Sequence, residues 1–101
     1  MNQVTQHLFE AMSRVSGEPI EEIMGMGRRK PLPACRYLIG IELMRRGYST
    51  NRAAYLIGLN HATFLHGRKM IESIRSNPTK AFAEEYMIDV LFQHAIGSET
   101  V

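Results

Sequence analysis

The sequence predicts an all-α fold of six helices. Apolar residues recur at helical spacing, as Val4, Leu8 and Met12 do in the first segment. Glycines and prolines stand between the periodic segments, where they typically end one helix or precede the next. The length of 101 residues suits one domain, 1-101, whose core we expect over residues 3-95.

Capping residues and helix breakers set the expected boundaries of each helix. Gly17 is placed to end the first helix, and Pro19 to begin a short second one. Ser49 or Thr50 is the expected N-cap of the fourth helix. The tail after Gly97 is expected to be frayed. The helices are predicted over residues 3–15, 19–24, 34–46, 50–57 and 61–75, and from the Asn77-Pro78 pair onward.

Residues 50-75 have the helix-ending and helix-starting residues that are typical of a helix-turn-helix. Gly58 interrupts a run of helix-forming residues, and Asn60 follows as the N-cap of the next helix, so the break is a tight turn. Ala53 and Ala54 leave room for two helices to cross closely. The fifth helix would then present its first turn to solvent, as the recognition helices of DNA-binding proteins do. The alternative is an ordinary helical hairpin in an all-α core.

Helical angles divide the later helices into apolar and polar faces. The acidic residues are expected on helix exteriors. The third helix is predicted to bury Tyr37 or Leu38, with Ile41 and Met44. The fifth has an inner face of Phe64, Gly67, Met70, Ile71 and Ile74 and an outer face of Ala62, His66, Lys69 and Ser73. The sixth has an apolar stripe of Phe82, Tyr86, Met87, Val90 and Leu91 and a polar stripe of Glu84, Glu85 and Asp89.

Basic residues are concentrated in the middle of the chain. Ten Lys and Arg residues and two acidic residues lie within positions 26–76, whereas two basic and eight acidic residues lie outside that window. The segment 25–33 contains two glycines and two prolines and is predicted to be a loop that carries Arg28, Arg29 and Lys30. The loop either contacts phosphates or a minor groove, or is a solvated linker. The charge distribution favours a polyanionic partner.

Other function classes find little support in the sequence. Cys35 has no partner for a disulfide, and His61 and His66 lie about 140° apart on a helix, too far apart to share a metal ion. The chain has no nucleophile elbow, phosphate loop or cysteine-centred catalytic signature. It has neither an apolar run of membrane-spanning length nor a signal peptide. We therefore expect no enzymatic activity, cofactor or membrane association, and a cytoplasmic, nucleoid-associated location.

From Val4 to Ile74 the order of these parts resembles the C-terminal DNA-binding domain (domain IV) of the bacterial chromosomal replication initiator DnaA. The shared parts are a short helix followed by a basic loop, Pro33 before a long helix, a helix rich in small residues, and the stretch from Gly58 to His66. In the family that stretch follows the pattern Gly-Arg-Asp-His-Thr-Thr-Val-x-His. The resemblance implies a Trp-repressor-like fold with double-stranded DNA as its partner.

Site residues follow from the resemblance together with the predicted faces. Two departures from the family pattern are the pair Leu59-Asn60, which replaces Arg-Asp, and Ala62, which replaces the first threonine. We expect the preferred DNA site to differ from the family's own at the base that Asn60 faces. Base-reading roles fall on Asn60, His61, Ala62, Thr63 and His66, and backbone or minor-groove roles on Arg28, Arg29, Lys30, Arg52, Arg68 and Lys69.

The sequence thus predicts a sequence-specific double-stranded DNA-binding domain, in replication initiation or in the regulation of a mobile element. The alternative is a helical protein-protein or RNA interaction module with a basic face. The sequence also leaves the assembly state open. The chain could form a homodimer through the sixth helix or belong to a larger replication or regulatory complex.

Overall fold

The structure is a computed structural model that describes residues 2–98, and the chain is helical throughout this range apart from its turns and loops. The predicted all-α fold of six helices is confirmed. Residues 1 and 99–101, and with them the predicted frayed tail beyond Ser98, lie outside the described residues. The elements are α1 (Gln3–Ser16), α2 (Ile20–Met24), α3 (Leu32–Arg45), α4 (Thr50–Leu56), α5 (His61–Ser76), a 3-10 turn (Lys80–Phe82) and α6 (Ala83–Ser98).

Side-chain caps and left-handed glycines set most of the helix boundaries where the sequence predicts them. The Ser49 hydroxyl accepts a hydrogen bond from the Arg52 amide at 3.1 Å and so begins α4. Gly17 ends α1 with a φ of 76°, a backbone conformation that only glycine adopts without strain. The exceptions are α3, which begins at Leu32, two residues earlier than predicted, and α6, which begins at Ala83 after a 3-10 turn and not at the predicted Asn77-Pro78 pair. Pro33 therefore lies in the first turn of α3, where a helix needs no backbone N–H donor.

The third helix is the centre of the core and packs against all five other α-helices. Leu38, Ile39 and Leu43 are completely buried, and they lie on more than one side of the helix. Burial of Leu38 is confirmed, whereas Tyr37, Ile41 and Met44 are only partly buried against the core. A single buried stripe is the wrong description of α3 because helices surround it.

The sixth helix has apolar residues on both its inner and its outer side, and two of its carboxylates lie on the inner side. Its carboxylates Glu85 and Asp89 are buried, with relative exposures of 3% and 5%. The predicted exterior position of these acids is therefore wrong. Asp89 accepts two hydrogen bonds from the Arg75 guanidinium, at 2.6 and 2.9 Å, and Glu85 lies 3.8 Å from Lys30 Nζ. The apolar residues Tyr86, Met87, Val90 and Leu91 are exposed, while Ile88, Phe92 and Ile96 join the core.

A third buried carboxylate, Glu42, stabilises the C-terminal end of α3. It is 1% exposed and accepts hydrogen bonds from Arg45 at 2.6 and 2.8 Å and from Arg46 at 2.7 Å. Burial opposes its ionisation, but the two guanidinium partners outweigh burial and hold the pKa of Glu42 below its ordinary value. Arg45 and Arg46 are accordingly engaged within the fold, although they belong to the basic window of the sequence.

Candidate nucleic-acid interface

The turn between α4 and α5 has the geometry that the sequence predicts. Gly58 adopts a φ of +75°, and the Asn60 side chain accepts a hydrogen bond from the Thr63 amide at 2.8 Å. Ala53 is completely buried beside the turn, and Ile57 nearly so. Because α4 is joined to α5 by so few residues, the position of α4 determines where the first turn of α5 points.

Two glycines determine how closely α5 approaches α3. A Cβ atom placed on Gly40 would lie 2.5 Å from Cε1 of Phe64 and 2.8 Å from Cδ1 of Ile57. A Cβ atom on Gly67 would overlap the ring of Tyr37. Each glycine thus accommodates an aromatic ring from the facing helix, and the two contacts fix both the spacing and the rotation of α5.

That rotation leaves one side of α5 open to solvent. The inner side has Phe64, Gly67 and Ile71 buried against the core. The predicted base-reading residues Asn60, His61, Ala62, Thr63 and His66 are all exposed. The beginning of the helix therefore presents only small or medium-sized polar side chains and one methyl group, a surface that can approach the edges of base pairs.

The three cations of the basic loop have different environments. The Arg29 guanidinium contacts two carboxylates, Glu18 at 2.7 Å and Glu22 at 2.6 Å, and hydrogen bonds from it to Glu18 and Glu22 raise its pKa. Lys30 donates a hydrogen bond to the Ala81 carbonyl at 3.3 Å and lies 4.6 Å from the centroid of the Phe82 ring.

Among the described residues, Arg28 has no ion pair and its side chain is exposed. The three cations of the loop therefore differ in role. Arg28 is free of ion pairs with the described residues, whereas Arg29 and Lys30 hold the loop against α2, the 3-10 turn and α6.

A cleft of about 470 Å³ separates the basic loop from the first turn of α5. Arg28 lines one side, and Asn60 and Thr63 line the other. The guanidinium of Arg36 lies in the wall, where it donates to the carbonyls of Ile23 at 2.7 Å and Glu22 at 3.1 Å. Burial lowers the pKa of Arg36, and no carboxylate in the part of the chain that the structure describes forms an ion pair with it. The cleft combines two guanidinium groups with the positive end of a 16-residue helix, so it attracts anions.

The other predicted contacts do not line this cleft. His66 and Lys69 line a groove of about 450 Å³ between α5 and residues 77–82. Arg52 is exposed on α4, with its guanidinium carbon 5.3 Å from the centroid of the Tyr55 ring. Arg68 is half-buried on α5. Arg28, Asn60 and Thr63 are brought together in one cleft, and His66 and Lys69 in the next groove.

Ion pairing determines which cations of the basic window, residues 26–76, are available to contact an anionic ligand. Arg29, Lys30 and Arg75 pair with acids from outside the basic window. Within residues 2–98, the basic-window cations without an ion pair are Arg28, Arg36, Arg52, Arg68 and Lys69. Four of these five are predicted contact residues.

The fifth cation, Arg36, was not predicted as a contact residue. It lies inside α3, and nothing in the neighbouring sequence indicates that its guanidinium will donate to the carbonyl groups at the end of α2. The partly buried Tyr37 lines the cleft, and the exposed Tyr55, 72% accessible, lies beside Arg52; the sequence analysis named neither as a site residue. The sequence contained one indication of the Tyr55 contact, because Tyr55 follows Arg52 by three residues on the same helix.

Comparison of this chain with known proteins gives no information on the site, which is therefore interpreted from its own geometry. No protein-family model, curated protein or solved structure matches the chain. Within residues 2–98, no helix is long and apolar enough to span a bilayer. The same residues contain no group of three or more His, Cys, Asp or Glu side chains that could hold a metal ion.

Proposed function

We propose that this protein binds double-stranded DNA, with the first turn of α5 in the major groove and Arg28 on the adjacent backbone or in the minor groove. One observation carries the proposal: the exposed, small polar turn that begins at Asn60 lies across a cationic cleft from Arg28. A strand that passes from one groove to the next presents its phosphates between two such elements. The proposal agrees with the resemblance to the Trp-repressor-like module of replication initiators.

The electrostatic part of the proposal is tested by the salt dependence of binding to random duplex DNA. Each neutralised phosphate contributes about −0.9 to the slope of log K against log salt concentration. Arg28→Ala is expected to weaken binding to all duplexes and to make the slope about one unit shallower. Arg14→Ala, on α1, removes the same charge away from the cleft and serves as the control.

Two outcomes would count against the proposal. If the wild-type chain does not bind duplex DNA even at low salt, DNA binding is refuted and the interaction-module alternative takes its place. If Arg28→Ala and Arg14→Ala reduce binding equally, the cleft is not the contact surface.

Base reading is tested separately with Asn60→Asp. Aspartate caps a helix as well as asparagine does but cannot donate a hydrogen bond to adenine. Selection from random duplexes should therefore give sites that differ at one base position for the two proteins, with equal melting temperatures. If the selected sites are identical, Asn60 acts only as the cap, and specificity must come from His61 and Thr63.

A further inference from the structure

The outward side of α6 is an uncovered apolar surface. Tyr86, Met87, Val90 and Leu91 have relative exposures of 36%, 53%, 46% and 42%. They recur at intervals of one, three and four residues, so they form one continuous stripe along the helix. A contiguous apolar patch of a few hundred Å² on a small domain is often a functional contact surface.

The stripe cannot be buried by rolling α6 on the core. Its opposite side is held by the bidentate Arg75–Asp89 pair and by the contact between Lys30 and Glu85. Rolling the helix would break these contacts and expose Phe92, which is completely buried. The stripe is therefore a fixed feature of the folded chain.

The composition of the stripe favours an uncharged partner surface. Between Tyr86 and Gly97 the ionisable side chains apart from the tyrosine itself are Asp89, which points inward, and His94. Such a surface complements neither the phosphates of a nucleic acid nor an acidic or basic peptide. Among the described residues, the other exposed large apolar side chains (Met24, Met26 and Tyr55) lie outside α6, so the chain has one extended surface of this kind, and that surface matches itself.

An antiparallel pair of α6 helices makes this match specific. With a two-fold axis midway between Met87 and Val90, Met87 of each copy lies opposite Val90 of the other, and Tyr86 lies opposite Leu91. The same register places small Ala83 opposite His94. At about 150–250 Å² for a large side chain, the four exposed fractions leave roughly 300 Å² of apolar surface on each copy. Two copies would thus bury roughly 600 Å² in total before flanking residues are counted, which is below the roughly 1,200–2,000 Å² of stable interfaces and corresponds to a weak, transient contact.

We propose that the outward face of α6, formed by Tyr86, Met87, Val90 and Leu91, is the interface of an antiparallel, two-fold dimer of this chain. The small area predicts a weak dimer, with a dissociation constant on the order of 10–100 μM. The tests require no DNA, so their failure leaves the DNA-binding proposal standing.

Analytical ultracentrifugation of the whole chain across this concentration range gives the first test. The wild-type protein should change from monomer to dimer, and Met87→Glu should weaken association about 100-fold or abolish it, because the carboxylate would be buried without a partner. Met24→Glu is the matched control, since Met24 is a methionine of similar exposure, 45%, on α2. Equal melting temperatures at low concentration would show that both variants fold. A wild-type chain that stays monomeric, or a dimer that Met87→Glu leaves intact, overturns the proposal.

A disulfide experiment tests the orientation. Cys35 is completely buried and does not compete. When Met87→Cys and Val90→Cys proteins are mixed and oxidised, an antiparallel dimer gives mainly the mixed disulfide. Preferential cross-linking of each variant with itself indicates a parallel pair and overturns the proposed arrangement.

Discussion

Replacing Gly40 by alanine is expected to destabilise the protein, although alanine is the better helix former. The added methyl group would meet two ring atoms of Phe64 at 2.5 and 2.7 Å and Ile57 at 2.8 Å. Phe64 is completely buried, so its ring cannot withdraw into solvent. Overpacking of this kind costs about 1–3 kcal/mol. At about 4–8 °C per kcal/mol for a domain of this size, the melting temperature should fall by roughly 5–20 °C.

Thermal and urea unfolding measure this effect directly, and two further variants make the test specific. Gly97→Ala adds the same methyl group in α6, where the new Cβ would meet no described atom within 4 Å apart from its chain neighbours and its own helix backbone, and should leave stability unchanged or raise it by up to about 1 kcal/mol. Phe64→Leu should cost less in the Gly40→Ala background than in the wild type, because it relieves the clash. A Gly40→Ala protein as stable as the wild type would refute the close approach of α3 and α5.

Three further predictions concern single side chains. Glu42→Gln should cost about 1.5–3 kcal/mol at neutral pH. Because the folded pKa of Glu42 is lowered, the wild-type advantage is full above the ordinary value of 4.5 and is lost as the pH falls below it, which urea unfolding at several pH values would show. Burial raises the pKa of Cys35 to about 11, so iodoacetamide at pH 8 should alkylate the unfolded chain but not the folded one. Asn60→Ala removes the bond to the Thr63 amide and should cost about 1 kcal/mol of stability, whereas Asn60→Asp should cost almost nothing.

Local chemistry explains why the helix-turn-helix could be predicted from the sequence. Gly58 and Asn60 act within one turn of their own positions, through a positive φ and a cap to Thr63. The burial of Glu85 and Asp89 on α6 could not be predicted in this way. It depends on Arg75 and Lys30, which lie many residues from the carboxylates they pair with, and a periodicity argument assigns every carboxylate to solvent.

The same limit applies to the basic surface. A count of cations within a window treats Arg28 and Arg29 alike, because they are neighbours with the same side chain. Only the fold brings Glu18 and Glu22 to Arg29 and leaves Arg28 beside the cleft. The exposed residues at the start of α5 could be named in advance because the cap and the helix period determine their exposure, whereas the place of Arg36 in the cleft wall could not.

The exposed first turn of α5 and the glycines that pack α5 against α3 tolerate substitution to different degrees. His61, Ala62 and His66 are exposed and make no side-chain hydrogen bond within the described structure. Substitutions at these positions leave the packing of α5 intact, since Gly67 and Phe64 on the other side of the helix hold it in place. A lineage can therefore replace the exposed residues one at a time without passing through an unfolded intermediate, and under the proposed function such replacements would change the DNA sequence that is bound. Change in Gly40 or Gly67 is restricted, because each requires a compensating change in the ring it faces.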